Sequence, residues 1–229
     1  MTGWSHEFKL IIMIHDVSKW GVSLVVQKVT KELFSWVKAL ALAIVLTVFI
    51  SVFVLQPYKV SGSSMEPTFQ GMDPFDGGKV ADRVMVFKSG YLLGSEPEHG
   101  DIVIIDSELE KDRSIKDEFI DNPFISWAVN GSGEVDKYWI KRVVGKAGDK
   151  LEFNEGKVYR NGELLDETYI KEDMDFPFET VVVPDNHVFV MGDNRNDSLD
   201  SREIGPVPVD HVVGEVFLRY YPIKKINKY

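Results

Sequence analysis

The chain has 229 residues, enough for one moderate domain plus an anchor but not for two full domains. It contains no cysteine, which excludes a disulfide framework, thiol catalysis and a thiolate metal site. A net charge of −10 argues against nucleic acid as a partner, because phosphate binding needs a basic face.

Residues 1–38 read as an amino-terminal arm. Lys9, Lys19, Lys28, Lys31 and Lys38 outnumber Glu7, Asp16 and Glu32, so the arm is basic within an acidic chain. Val25, Val29, Leu33 and Trp36 recur at roughly helical spacing among the lysines. Two readings fit: an amphipathic helix lying on the inner membrane face, or an extension of the segment that follows.

That segment, 39–55, runs for 17 residues without a charge, and Thr47 and Ser51 are its only polar members. It sits at the short end for a spanning helix, and Val37 and Trp36 lengthen it past Lys38, whose amine can snorkel. A buried core helix of this length would keep a polar stripe. The arm is too long for a cleaved leader and no small-x-small site follows Leu55, so the sequence predicts an uncleaved transmembrane anchor. The lysines of the arm, set against Lys59 alone in the next twenty residues, put the amino terminus in the cytoplasm and residues 56–229 outside.

Past the anchor the texture becomes strand-like. Arg83–Phe87 alternates, and Asp101–Ile105 and Trp139–Val144 are short apolar runs. Two turn pairs lie between strand-like flanks at 153–164, and Asn161-Gly162 is the strongest hairpin signal in the chain. Val181–Val183 and His187–Met191 add two more strands. The expected fold is therefore mostly β: a transmembrane helix followed by a single antiparallel catalytic domain. Residues 106–137 interrupt it as an acidic insertion. Inside that insertion, Phe119-Ile120 and Pro123-Phe124-Ile125-Ser126-Trp127 form an apolar knot. The insertion reads either as a surface loop with its own small cluster or as a flap that touches the membrane or guides substrate.

Three polar motifs carry the chemistry: Gly62-Ser63-Ser64-Met65-Glu66-Pro67-Thr68, Lys141-Arg142-Val143-Val144-Gly145, and the dense run from Gly192 to Arg202. A serine hydroxyl needs a base to become a nucleophile. His6, His15, His99, His187 and His211 sit in no triad motif. A lysine can serve if burial keeps its amine neutral, and Lys141 would project from an apolar strand with Arg142 on the opposite face. On local texture alone Lys141 is equally an ordinary strand lysine.

The order of these motifs after an anchor, with Gly100-Asp101-Ile102-Val103 between them, resembles the type I signal peptidases (leader peptidases) of the Gram-positive kind, over the whole outer domain. The resemblance implies Ser64 as acylating nucleophile and Lys141 as general base. Ser198 would orient the lysine amine, Asp200 and Arg202 would pair in support, and Asp193 and Arg195 would shape the same loop. Met65 would wall the substrate cleft and Pro67 would fix the turn after the nucleophile. Some members carry an oxyanion-binding serine where this chain has Gly62. That assigns the oxyanion to backbone N–H groups, chiefly that of Ser64, with the Ser63 hydroxyl as the other candidate. Ala147 replaces a common proline, which costs loop rigidity. The stretch between Lys141 and Gly192 is too short for the large second β domain of Gram-negative relatives.

The implied activity is removal of signal peptides from secretory preproteins at the bacterial cell membrane, through an acyl-enzyme and without cofactor or metal. Membrane lipid and the secretion translocon are the other expected partners, and precursors would lie extended against an edge strand near Val84-Met85-Val86. A processing peptidase specialised for pilins or conjugation would share these motifs. A non-catalytic membrane-tethered binding module would have lost Ser64, Lys141 or Ser198, and all three are present.

Overall fold

In the computed structural model, the described residues are 4–72, 78, 80–111, 113–120, 122, 125–126 and 137–229, with side chains described from residue 26 onward except at 92, 115 and 118. Pro123, Phe124 and Trp127 of the expected apolar knot lie outside them, as does much of the insertion.

Helix α1 runs unbroken over Trp4–Phe53, so the arm extends the apolar segment as one helix. The stretch Val26–Phe53 is long and apolar enough to cross a membrane. Leu33, Trp36, Leu40 and Val45 are exposed along it, which rules out a core helix. The chain divides into two compact units, residues 1–48 and 49–229, with the division inside α1. Leu55, expected inside the anchor, opens the first strand: pairing with Phe87 competes successfully with helix at that position.

The unit 49–229 is mostly antiparallel β. Its strands are β1 (Leu55–Lys59), β2 (Arg83–Phe87), β3 (Ile102–Asp106), β4 (Tyr138–Lys146), β5 (Lys150–Asn154) and β6 (Lys157–Arg160). Then follow β7 (Glu163–Leu164), β8 (Val181–Val182), β9 (His187–Met191), β10 (Val207–Pro208), β11 (Val212–Tyr221) and β12 (Asn227–Lys228). Short helices α2 (Ser89–Leu92), α3 (Ile115–Ile120) and α4 (Ser201–Ile204) punctuate them. One sheet has the order β1-β2-β11-β3-β4-β9-β10, with β12 beside β11. A small sheet, β7-β6-β5-β8, occupies the short stretch between Lys141 and Gly192.

Alternation explains how the sheet is packed. Ile102 and Ile104 join Val60, Met65, Phe69, Val84, Val86 and Val216 in one core cluster, while Val103 and Ile105 join Val143, Val188 and Val190 in another. Every residue of β3 is buried, as a strand covered on both faces should be. A third cluster around Leu151, Val158 and Phe189 seats the small sheet on β4 and β9.

Two consequences bear on the site. Strand β2 is flanked by β1 and β11, so Val84–Val86 has no free edge and cannot receive a substrate strand as expected. Among the described residues open edges lie elsewhere: β1 pairs only with β2, and Tyr138–Lys141 of β4 pair with β3 while β9 begins opposite Arg142.

Candidate active site

Ser64 sits in a tight turn just after β1. Gly62 takes φ +73°, a left-handed conformation that suits glycine, and donates its N–H to Met72 O at 3.3 Å. Glu66 N–H closes onto Ser63 O at 2.9 Å and Phe69 N–H onto Met65 O at 2.8 Å. Met65 and Phe69 are fully buried in the first core cluster and pin the turn from below. Met65 is thus a core side chain under the nucleophile. The Glu66–Pro67 bond is cis.

Strand β4 presents Lys141 to that turn. Its Nζ lies 2.9 Å from Ser64 Oγ, and 5.7 Å from the centroid of the Trp139 ring. Only 4% of Lys141 is exposed. Burial, aided by the positive charge of Arg202, lowers its pKa to about 8, against the opposing pull of Asp200, Glu203 and Asp193. The amine is therefore half neutral near pH 8, far below the range of an ordinary lysine. Next to it, Arg142 leaves the other face of the strand and grips Asp193 with two bonds, Nε to Oδ1 at 2.8 Å and Nη2 to Oδ2 at 2.7 Å.

The run from Gly192 to Arg202 folds over both. Asp200 is its hub. The carboxylate accepts from Gly192 N–H at 2.8 Å, from Ser198 Oγ at 2.7 Å and from the Arg202 guanidinium at 2.8 Å, and it caps α4 in a capping box with Glu203. Gly192 is needed for close approach: a Cβ there would stand 2.3 Å from Ser198 Oγ and 2.5 Å from Ser64 O. Asn194 ties the nucleophile turn down, its backbone N–H donating to Ser64 O at 3.0 Å and its Nδ2 to Ser63 O at 3.2 Å.

Several sequence expectations change here. Ser198 makes no direct hydrogen bond to Lys141: its proton is committed to Asp200. The Ser63 hydroxyl donates to Asp197, which takes it away from any oxyanion. Gly62 offers no hydroxyl, whereas no described group accepts from Ser64 N–H, so that amide stays available. Asp200 and Arg202 do pair, and Asp193 and Arg195 do lie in the same loop.

Other residues were not singled out beforehand. Thr68 donates its hydroxyl to Asp193. Glu167 binds the buried Arg195 guanidinium at 2.7 and 2.9 Å, and the Tyr169 ring lies 4.0 Å from the Arg142 guanidinium. Thr68 and Asn194 stand within the motifs. Glu167 and Tyr169 come from a loop with no local signature, so only the fold could reveal them.

A serine oxygen within hydrogen-bond reach of a buried, readily neutralised amine is the arrangement of a Ser–Lys hydrolase. Residues 33–221 match the family model described as signal peptidase, peptidase S26, and the chain belongs to that family. It is 33% identical over 191 residues to a probable signal peptidase I-2 of Synechocystis, covering 83% of this chain and 74% of that one. It is 32% identical over 208 residues to signal peptidase I of Bacillus licheniformis, covering 86% and 93%. Signal peptidase IB of Staphylococcus aureus is 28% identical over 215 residues, covering 86% and 94%.

Proposed function

We propose that this chain is a membrane-tethered serine endopeptidase that removes signal peptides from secretory preproteins, with Ser64 as nucleophile and Lys141 as general base. The observation that carries this reading is the 2.9 Å separation of Lys141 Nζ from Ser64 Oγ, with the amine desolvated. Neutral Lys141 takes the Ser64 proton as Oγ attacks the scissile carbonyl. The Ser64 N–H, which has no other acceptor among the described residues, stabilises the oxyanion. Lysine then protonates the leaving amine, and the acyl-enzyme is hydrolysed by a water that the same amine activates. No cofactor or metal enters any step.

Substrate geometry follows from the open edges. The outer side of β1 and the first half of β4 flank the dyad, with the Tyr58 and Tyr138 rings 5.8 Å apart between them. An extended segment adding to such an edge gains main-chain hydrogen bonds. Only Val54 lies between the end of α1 at Phe53 and β1, so the link from the anchor helix to this edge is short. The arm lies in the cytoplasm and the β unit outside, in a bacterial cell membrane, where membrane lipid and the secretion translocon are its neighbours.

The test is replacement of Ser64 by Ala and of Lys141 by Met, separately, with a model precursor carrying a small-x-small site. Each folded variant should lose processing; wild-type rates from either would refute the dyad.

A further inference from the structure

Between β3 and β4 the chain makes a detour that the mechanism does not use. Its helix α3 and the following Asn122 return to the last turn of α1. Phe119 packs edge-on against Phe53, with ring centroids 5.2 Å apart at 82°. Asn122 Nδ2 donates to Ser51 Oγ at 3.0 Å, and both side chains are buried. From the other side the same turn is tied to the sheet: only Val54 separates α1 from β1, and its carbonyl accepts from Lys88 N–H at 3.0 Å.

An apolar contact alone would hold the helix end without fixing its rotation, because hydrophobic attraction is non-directional. A buried amide–hydroxyl bond is directional and costly to break, so it sets both rotation and height. Height matters for a cutting enzyme on a membrane. An extended precursor advances by about 3.3 Å per residue, so a rise of that size in the catalytic site would move the cut by one position.

We propose that the Asn122–Ser51 bond and the Phe119–Phe53 contact form a brace that fixes the exit turn of α1, residues 49–53, on the catalytic unit. The brace thereby sets where along a membrane-held precursor the cut falls. Phe119 and Asn122 are positioning residues, acting through the exit turn of α1 and not on the reacting atoms. This inference rests on the proposed removal of signal peptides by a membrane-anchored chain.

The experiment uses the full chain reconstituted in phosphatidylethanolamine–phosphatidylglycerol liposomes and two substrates. One is a short water-soluble peptide with a small-x-small site; the other is a precursor with its complete apolar signal. Product termini are read by mass spectrometry. The double variant Phe119→Ala/Asn122→Ala should cut the soluble peptide within about twofold of wild type, yet cut the precursor about tenfold more slowly or at neighbouring positions. Ser51→Ala, which leaves the insertion's own side chains intact, should show the same spread of termini more mildly. The brace is refuted if both variants cut the precursor at the wild-type rate and single position. It is equally refuted if Ser51→Ala slows both substrates alike, since the contact then serves only the folding of the site. Failure of the underlying reading would look different: the unaltered chain would leave both substrates intact, or Ser64→Ala would still cut them.

Discussion

Ser198 donates its hydroxyl proton to Asp200 Oδ2 at 2.7 Å, and Asp200 exerts the largest charge effect on Lys141. The serine thus acts on the lysine through a carboxylate that also holds Gly192 and Arg202. Replacing Asp200 by Asn removes the negative charge that raises the Lys141 pKa and leaves the Arg202 cation, which lowers it, without its partner. The acid limb of the pH–rate profile should therefore move to lower pH while the maximal rate falls. A limb that moves upward would contradict this electrostatic account.

In the unaltered enzyme, activity should follow the neutral form of Lys141. With a pKa of about 8, kcat/KM rises through pH 8 and falls by about tenfold per unit well below it. A profile on a small-x-small peptide, with no acid limb between pH 6.5 and 9, would remove lysine from the role of base.

Burying that amine also weakens the fold. An ordinary lysine titrates near 10.5 and this one near 8, so between those values the unfolded chain holds a proton that the native one has released. Stability therefore rises with pH across that window, and the penalty is fully present below it. Lys141→Met should stabilise the inactive protein by about 3 kcal/mol at pH 7, a gain that shrinks towards pH 10.5. Urea unfolding of the detergent-solubilised chain at several pH values measures it; a pH-independent difference would show that packing, not charge, sets the change.

Gly192→Ala should cripple the site with little effect elsewhere. The added methyl would meet Ser64 O and Ser198 Oγ at distances no Cβ tolerates, pushing the nucleophile turn away from the loop. Displacement on the order of an ångström corresponds to a loss of about a hundredfold in kcat. Steady-state kinetics beside a melting curve would separate this from unfolding.

Arg142 should prove structural. Its partner Asp193 is wholly buried, so Arg142→Met leaves that carboxylate without its paired cation, held among the described residues only by the Thr68 hydroxyl, and should cost about 3–5 kcal/mol. Arg142→Lys should recover only part of that, since one ammonium cannot reproduce the two-pronged contact or the stacking on Tyr169. Thermal melts of both variants decide the matter.

Which parts of this molecule could be read from sequence follows from how local their signals are. Ser64, Lys141 and the Gly192–Arg202 run announce themselves because the chemistry crowds polar residues into short motifs. β2, β3, β4 and β9 show as alternating or apolar runs, and Asn161-Gly162 does mark the turn between β6 and β7. By contrast β11, the strand that joins β2 to β3, passed unnoticed, since Gly214 and the shift in register around it blur its alternation. Glu167 finds Arg195 and Asn122 finds Ser51 only across long stretches of chain. Ser198 had a motif role that folding altered: its proton is spent on Asp200 and not on the lysine.

The close approach of Gly192 to Ser64 has a consequence in time. The nucleophile is made first, its base 77 residues later, and the loop that seats them both later still. While the chain is being synthesised, Ser64 therefore has neither a proton acceptor nor the backbone ties that orient it. Proteolytic competence arrives all at once, when the Gly192 loop has been made, so a nascent chain that stops short of it is inert.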